Sequence, residues 1–171
     1  MTTKLAFIGD SFCREGQCIQ TDTFVKLLKK HYQSTISIVV QGRVGDGSLQ
    51  AKIEDIDLAV SNSADIIFVF YEPQNQKVTE VYQEEQKILY QKLQNVPARV
   101  WHFQDRQSQN LKCKQPVDFE IMNYPHDWFP EYRHCVPTEV SDNGVDAAGN
   151  RKIARTLIRI IDEHKQSLAS N

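Results

Sequence analysis

The apolar run Leu5-Ala6-Phe7-Ile8 stops abruptly at Gly9-Asp10-Ser11, with a further glycine at Gly16. Such a run reads as an interior strand. In open α/β sheets the reactive crevice lies outside the carboxyl ends of strands, so Ser11 stands where a nucleophile is expected. Two later turns carry groups that suit the same chemistry. Gly45, in Gly42-Arg43-Val44-Gly45-Asp46-Gly47, lacks a Cβ and can bring its N–H close to a ligand. Gln74 and Asn75, behind the run Ile66-Ile67-Phe68-Val69-Phe70-Tyr71, offer side-chain amides. Backbone N–H groups of Ser11 and Gly45 with one such amide, converging on a point, would form an oxyanion hole for acyl transfer.

These turns need a scaffold that delivers them to one edge, and the hydrophobic pattern supplies it. Ile36-Ser37-Ile38-Val39-Val40 reads as a second strand, Asp65 to Tyr71 as a third, Val100-Trp101-His102-Phe103 as a fourth and Val117 to Ile121 as a short fifth. Between them lie helical patterns. Phe24, Val25, Leu27, Leu28 and Tyr32 recur behind the capping candidates Thr21 and Asp22, and Ile53, Ile56 and Val60 mark a second helix. Val78, Val81, Tyr82, Ile88, Leu89 and Leu93 face one way on a third, and a last helix runs from about Asp146 to Ser167 with Ile153, Leu157, Ile160 and Ile161 inward. Alternating strands and helices predict a three-layer α/β/α, flavodoxin-like fold whose parallel sheet of about five strands has the order 2-1-3-4-5. Residues 104–141 break the periodicity and hold four of the six prolines together with Tyr124, Trp128, Phe129 and Tyr132. A stretch of that length reads as a functional or capping loop, its aromatics lining a substrate pocket or an interface.

Composition narrows the function classes. The 171 residues fit a single domain, and 40% apolar with 25% charged residues is a globular balance. A net charge of −2 gives no field that favours nucleic acid or membranes, and neither is expected as a partner. The first apolar run is too short for a signal-peptide core or a membrane span, which points to the cytoplasm. Cys13, Cys18, Cys113 and Cys135 are too irregularly spaced for a disulfide scaffold or a zinc site, so reduced thiols and no metal or cofactor are expected. His102 reads as a core residue within a strand, and His31 and His164 as solvated helix residues. Arg151, Lys152, Arg155 and Arg159, alternating with Asp162 and Glu163, read as the wet face of the last helix.

Gly9-Asp10-Ser11 with Gly16 resembles the first conserved block of the SGNH, or GDSL-type, hydrolases, a superfamily of esterases, lipases and acetylhydrolases with a flavodoxin-like fold. Gly42 to Ser48 is similar to the second block, with Gly45 matching the glycine that donates to the oxyanion. The third block, Gly-x-Asn-Asp in the family, is replaced by Glu72-Pro73-Gln74-Asn75-Gln76, where Asn75 or Gln74 fits the asparagine's place. The Ala147-Ala148-Gly149 segment, continuing to Ile153-Ala154, matches the start of the family's terminal helix, and Asp142 falls at the place of the acid that orients the catalytic base. The family's histidine is missing, its position being taken by Gly144 or Val145.

A serine hydroxyl is a poor nucleophile until a neighbouring base takes its proton, so that loss bears directly on activity. Asp146, with an ordinary carboxylate pKa of about 4, is a weak substitute for a base that works near neutral pH. His126 and His134, in the aromatic loop, are the alternatives, since triad members need not be sequence neighbours. Two readings stay open. In the first the chain is a serine esterase or acetylhydrolase for a small ester, in keeping with the resemblance and with carbohydrate acetyl groups as one substrate class. In the second it keeps the fold without the reaction and serves as a binding or structural protein for a protein or carbohydrate partner, for example a virion or assembly component.

Overall fold

A computed structural model describes residues 2–9, 22–43, 48–71, 80–104, 120–123 and 147–170. Five strands form one sheet: β1 (Thr3–Ile8), β2 (Ile36–Val40), β3 (Ile66–Tyr71), β4 (Arg99–Gln104) and β5 (Glu120–Asn123). Their order is β2-β1-β3-β4-β5. β1 with β3, β3 with β4, and β4 with β5 are parallel, in registers that set Phe7 beside Phe68 and Phe70 beside Phe103. The helices are α1 (Phe24–Tyr32), α2 (Leu49–Ser61), α3 (Glu80–Gln94) and α4 (Ala147–Ala169). This is the flavodoxin-like α/β fold expected of the alternating pattern, with the expected strand order. By its contacts the chain divides into two compact units.

The larger share of the sheet, from Lys4 of β1 through residues 38–40 of β2 to β5, falls in one unit with α2 and α3. Side chains alternate across a strand, so each strand feeds two faces. On one face Ala6, Ile8, Val40, Ile67, Val69 and Val100 pack with Ile56 and Ala59 of α2 and Leu89 and Leu93 of α3. Phe7, Phe68, Phe70 and Phe103 alternate with that set and form an aromatic row, Phe7 stacking on Phe68 at 5.4 Å and Phe70 on Phe103 at 4.9 Å between ring centroids. All four rings are essentially inaccessible to water. Burying a ring of this kind stabilises the fold by roughly 1.5–3 kcal/mol, which makes the row a principal source of cohesion.

The starts of these strands are sewn together by one residue. Asp65 donates its N–H to the Lys4 carbonyl at 2.8 Å, accepts the Arg99 N–H on its own carbonyl at 3.0 Å, and accepts the Lys4 N–H on Oδ2 at 2.7 Å. β1, β3 and β4 are therefore aligned from their amino-terminal ends. His102, on β4, is fully buried and meets the ring of Tyr90 on α3 edge to face at 5.2 Å. Burial lowers its imidazole to about 3, so it is neutral throughout the physiological range.

The other unit contains α1, the short 3-10 turn Gln33–Thr35 and α4. Thr23 caps α1, its hydroxyl accepting from the Lys26 N–H at 3.4 Å. The sequence pointed instead to Thr21 or Asp22. Asp22 is occupied by ion pairs to Lys26 and Lys30, with Lys30 the main cause that holds its carboxyl below the usual range. α4 turns Ile153, Leu157, Ile160 and Ile161 wholly inward, as its periodicity requires. It meets α1 through Tyr32, whose hydroxyl donates to Asp162 Oδ1 at 2.7 Å. Burial, followed by that carboxylate, raises the Tyr32 phenol far above its ordinary value. Lys165 lies over the Tyr32 ring and donates to Thr35 Oγ1 at 3.2 Å.

Three details differ from expectation. Ile88 and Val60 are exposed, because the buried stripes of their helices are centred on Leu89 and Leu93 and on Ala51, Ile56 and Ala59. The fifth strand is Glu120–Asn123, displaced toward the carboxyl end of the predicted Val117 to Ile121. His164 is half-buried on α4, whereas His31 is exposed as read.

Candidate active site

Parallel strands share one carboxyl edge, so the chain leaves the sheet in the same direction after Ile8, Val40 and Tyr71. The segments that follow carry the chemistry-bearing residues of the sequence. Ser11, Gly45, Gln74, Asn75, His126, His134 and Asp142 all lie outside the described residues. So do the four cysteines and the aromatic cluster of residues 124–132. The described residues give the frame from which these segments depart.

That frame is tightest where β1 and β2 end. Gly9, directly after β1, is buried, and its carbonyl accepts at 3.3 Å the N–H of Arg43, which lies three residues past the end of β2. The Arg43 side chain runs to α2, where Nε donates to Asp55 Oδ1 at 2.9 Å, Nη2 lies 2.8 Å from the same oxygen, and Nη1 donates to Glu54 Oε2 at 3.0 Å. Asp55 is buried, its side chain only 6% exposed, and a carboxylate in that position requires a cationic partner. Arg43 supplies it, and Asp55 first, then Glu54, raises the guanidinium above its already high ordinary pKa. Because Arg43 is itself about one-third exposed, its removal is expected to cost about 1–3 kcal/mol rather than the full penalty of an orphaned buried charge.

Ser48 fixes the other end of the same turn. Its backbone is extended, its hydroxyl accepts the Ala51 N–H at 3.1 Å, and its carbonyl accepts the Lys52 N–H at 3.2 Å, so α2 starts there with a satisfied cap. The sequence between Arg43 and Ser48, which contains Gly45, is thus bounded by two anchors on one helix.

In the other unit, Asn150 makes the corresponding link. It is buried in the first turn of α4, and its Oδ1 accepts the N–H of Phe24, the first residue of α1, at 2.9 Å. Ser11 precedes α1 in sequence, and Asp142, His134 and His126 precede α4. One side-chain hydrogen bond therefore ties the starts of the two helices that follow these segments.

Neither Arg43 nor Asn150 was singled out from the sequence, though each left a signal. Asn150 occupies the apolar stripe of α4, three and four residues before Ile153 and Ala154, where a side chain of modest helix propensity is out of pattern. Asp55 likewise replaces an apolar residue on the buried stripe of α2, beside Ile56. A polar residue in such a stripe implies a partner, but its identity depends on contacts that periodicity does not encode.

Among the described residues no group of three or more His, Cys, Asp or Glu side chains is gathered as metal ligands, and no helix is long and apolar enough to cross a membrane. No protein-family model matches the chain, and no curated protein matches it.

Proposed function

We propose that the chain is a serine esterase of SGNH type that cleaves a small ester, with an acetyl group on a carbohydrate as one substrate class. The observation that carries the reading is the pairing of Gly9-Asp10-Ser11 with the turn after β2. The first leaves the carboxyl end of β1, the second starts at Gly42, and a backbone hydrogen bond joins Gly9 to Arg43 at the edge where α/β sheets bind ligands. Ser11 Oγ attacks the acyl carbon while its proton passes to the imidazole of His134 or His126, which Asp142 orients or neutralises. The N–H groups of Ser11 and Gly45, with the amide of Asn75 or Gln74, hold the oxyanion of the tetrahedral intermediate. Its collapse breaks the C–O bond, the imidazolium returns its proton to the departing alkoxide, and water hydrolyses the acyl-serine by the same steps in reverse. Neither metal nor cofactor enters, and the setting is the cytoplasm.

One observation favours a second reading. Gly144 or Val145 stands where the resemblance calls for the base, so a protein that keeps the fold and binds a protein or carbohydrate partner, as a virion or assembly component does, competes with the enzyme. Assays on acetyl and short-chain nitrophenyl esters, with His134→Ala and His126→Ala beside the native chain, separate the two. The esterase reading expects turnover that one of these substitutions removes. A folded native chain inert toward all of these esters contradicts it and favours the binding protein, whose self-association sizing would reveal.

A further inference from the structure

We propose that the outer face of α4 docks an acidic helix of a protein partner, an inference independent of whether Ser11 is a working nucleophile. Arg151, Arg155 and Arg159 follow one another at intervals of four residues, so on a helix they stand in a nearly straight file, about 6 Å apart along the axis. All three are exposed, and among the described residues none of them enters a hydrogen bond or an ion pair. Lys152 adds a fourth cation beside the file. The neighbouring helix shows the contrast. On α1, which meets α4 at Tyr32, Asp22 answers both Lys26 and Lys30. The acids of α4 do not serve its arginines in that way: Asp162 accepts from the Tyr32 hydroxyl, and Glu163 makes no ion pair among the described residues. Like charges four residues apart repel, so the file works against the stability of the helix that carries it. Ile153, Leu157, Ile160 and Ile161, all buried, hold that helix in place as a platform. A charge pattern that opposes local stability and is not neutralised on its own helix points to a partner outside the chain.

Charge and dimensions select the partner. A guanidinium grips a carboxylate through two parallel N–H bonds. Carboxylates placed at every fourth residue of a partner helix share the pitch of about 6 Å, so three of them meet the three arginines in register. The file spans only about 12 Å, little more than the screening length of about 8 Å at physiological ionic strength, and its attraction is therefore local. A long polyanion would run on over a chain whose net charge is −2, and four cations reach fewer phosphates than the roughly six to ten of a firm nucleic-acid contact. An anionic bilayer fits less well, because α4 buries its apolar stripe inside the protein and has none to insert.

The test follows, by fluorescence anisotropy, a labelled alanine-based helical peptide with glutamate at every fourth position as the full chain is added. Native chain is compared with the triple variant Arg151→Gln, Arg155→Gln, Arg159→Gln, with Arg155→Glu alone, and with Lys87→Gln plus Lys92→Gln, which removes charge from α3. Native chain is expected to bind the peptide, and to bind more weakly a peptide of the same composition whose glutamates fall at every fifth position. The triple variant should lose about tenfold or more in affinity, and the α3 variant should stay within about twofold of native. Arg155→Glu, which reverses the central charge, should match the triple variant's loss and serves in its place if that variant does not fold. Melting of the triple variant no lower than native is expected, since like-charge repulsion is relieved. A native chain that does not bind the peptide, or a folded triple variant that binds it as native does, overturns the proposal. Tighter binding of oligothymidylate or of phosphatidylserine vesicles than of the peptide, lost in the triple variant, overturns it as well, because the face would then belong to that partner.

Discussion

The two edges of the sheet are built differently. At the amino-terminal edge the connections are short, Gln33–Thr35 before β2, residues 62–65 before β3 and residues 95–98 before β4, and Asp65 closes the backbone of three strands. At the carboxyl edge the segments between elements are longer, and all seven residues assigned to the chemistry by sequence fall in them. The anchors differ in kind as well. Backbone ladders and a single aspartate serve the first edge, whereas a side-chain ion pair from Arg43 to Asp55 of α2 serves the second. A parallel sheet permits this division, because one edge can be fixed by tight turns while the other is free to vary in sequence without disturbing the core. Changes at the amino-terminal edge should then register as stability, and changes at the carboxyl edge as activity.

The largest effect belongs to the carboxyl edge. Ser11→Ala is expected to reduce ester turnover by about a thousandfold or more while shifting the melting temperature by no more than a degree or two, as read by nitrophenyl ester hydrolysis beside a circular-dichroism melt. A substitution that unfolded the chain instead would break the division between the edges.

Next comes the core below both edges. His102 is neutral when folded, with its pKa lowered by burial to about 3, and ordinary when unfolded, near 6.5. The unfolded chain therefore binds a proton that the folded chain refuses. This contribution to stability is complete above the unfolded value and is lost as pH falls from there toward 3. At about pH 4.5 the loss amounts to about 2–3 kcal/mol, and the dependence should be flatter in His102→Leu when urea unfolding is followed at several pH values. Equal slopes in the two proteins would remove His102 as the cause.

At the amino-terminal edge, Asp65→Ala takes away the acceptor of the Lys4 N–H and is expected to cost about 1–2 kcal/mol by urea unfolding, with kcat per folded molecule unchanged. Loss of turnover without loss of stability would contradict the assignment of that edge to the scaffold. Ser48→Ala removes one helix cap and should cost about 1 kcal/mol in the same measurement, along with a modest decrease in kcat because Ser48 bounds the glycine turn. The smallest effect is expected for Lys92→Ala, which deletes an exposed ion pair to Asp57 between α3 and α2 and should change stability by less than about 0.5 kcal/mol.

Much of the fold was legible because its strands are apolar runs bounded by turn residues. Ile36–Val40 is the strand that the pattern predicts, and the alternation of elements leads to the observed strand order. Helix faces were read less well. Ile88 and Leu89 are neighbours of equal hydrophobicity, and only packing decides that the second is buried and the first exposed. β5 lies later than predicted because Val117 to Ile121 and Glu120 to Asn123 overlap in pattern, so the parallel partner β4, not local preference, fixes the register. Thr23 in place of Thr21 or Asp22 as the cap is a difference of one or two residues that local rules rarely resolve. For the site, motif recognition named Ser11 and Gly45, which lie outside the described residues, and was blind to the links made by Arg43 and Asn150. Their roles arise from contacts to Gly9, Asp55 and Phe24, two of them bridging distant parts of the sequence, and such pairs appear only when the chain is folded.

The central claim is that the carboxyl edge of β1 carries a working serine, and the most direct measurement is the site of covalent capture. Native protein and Ser11→Ala, both verified as folded, are treated with a fluorophosphonate probe, digested and mapped by mass spectrometry. The account predicts one phosphonylated peptide, bearing its adduct at Ser11, absent from Ser11→Ala. A folded native chain that takes up no probe, or an adduct that persists elsewhere in Ser11→Ala, would contradict it.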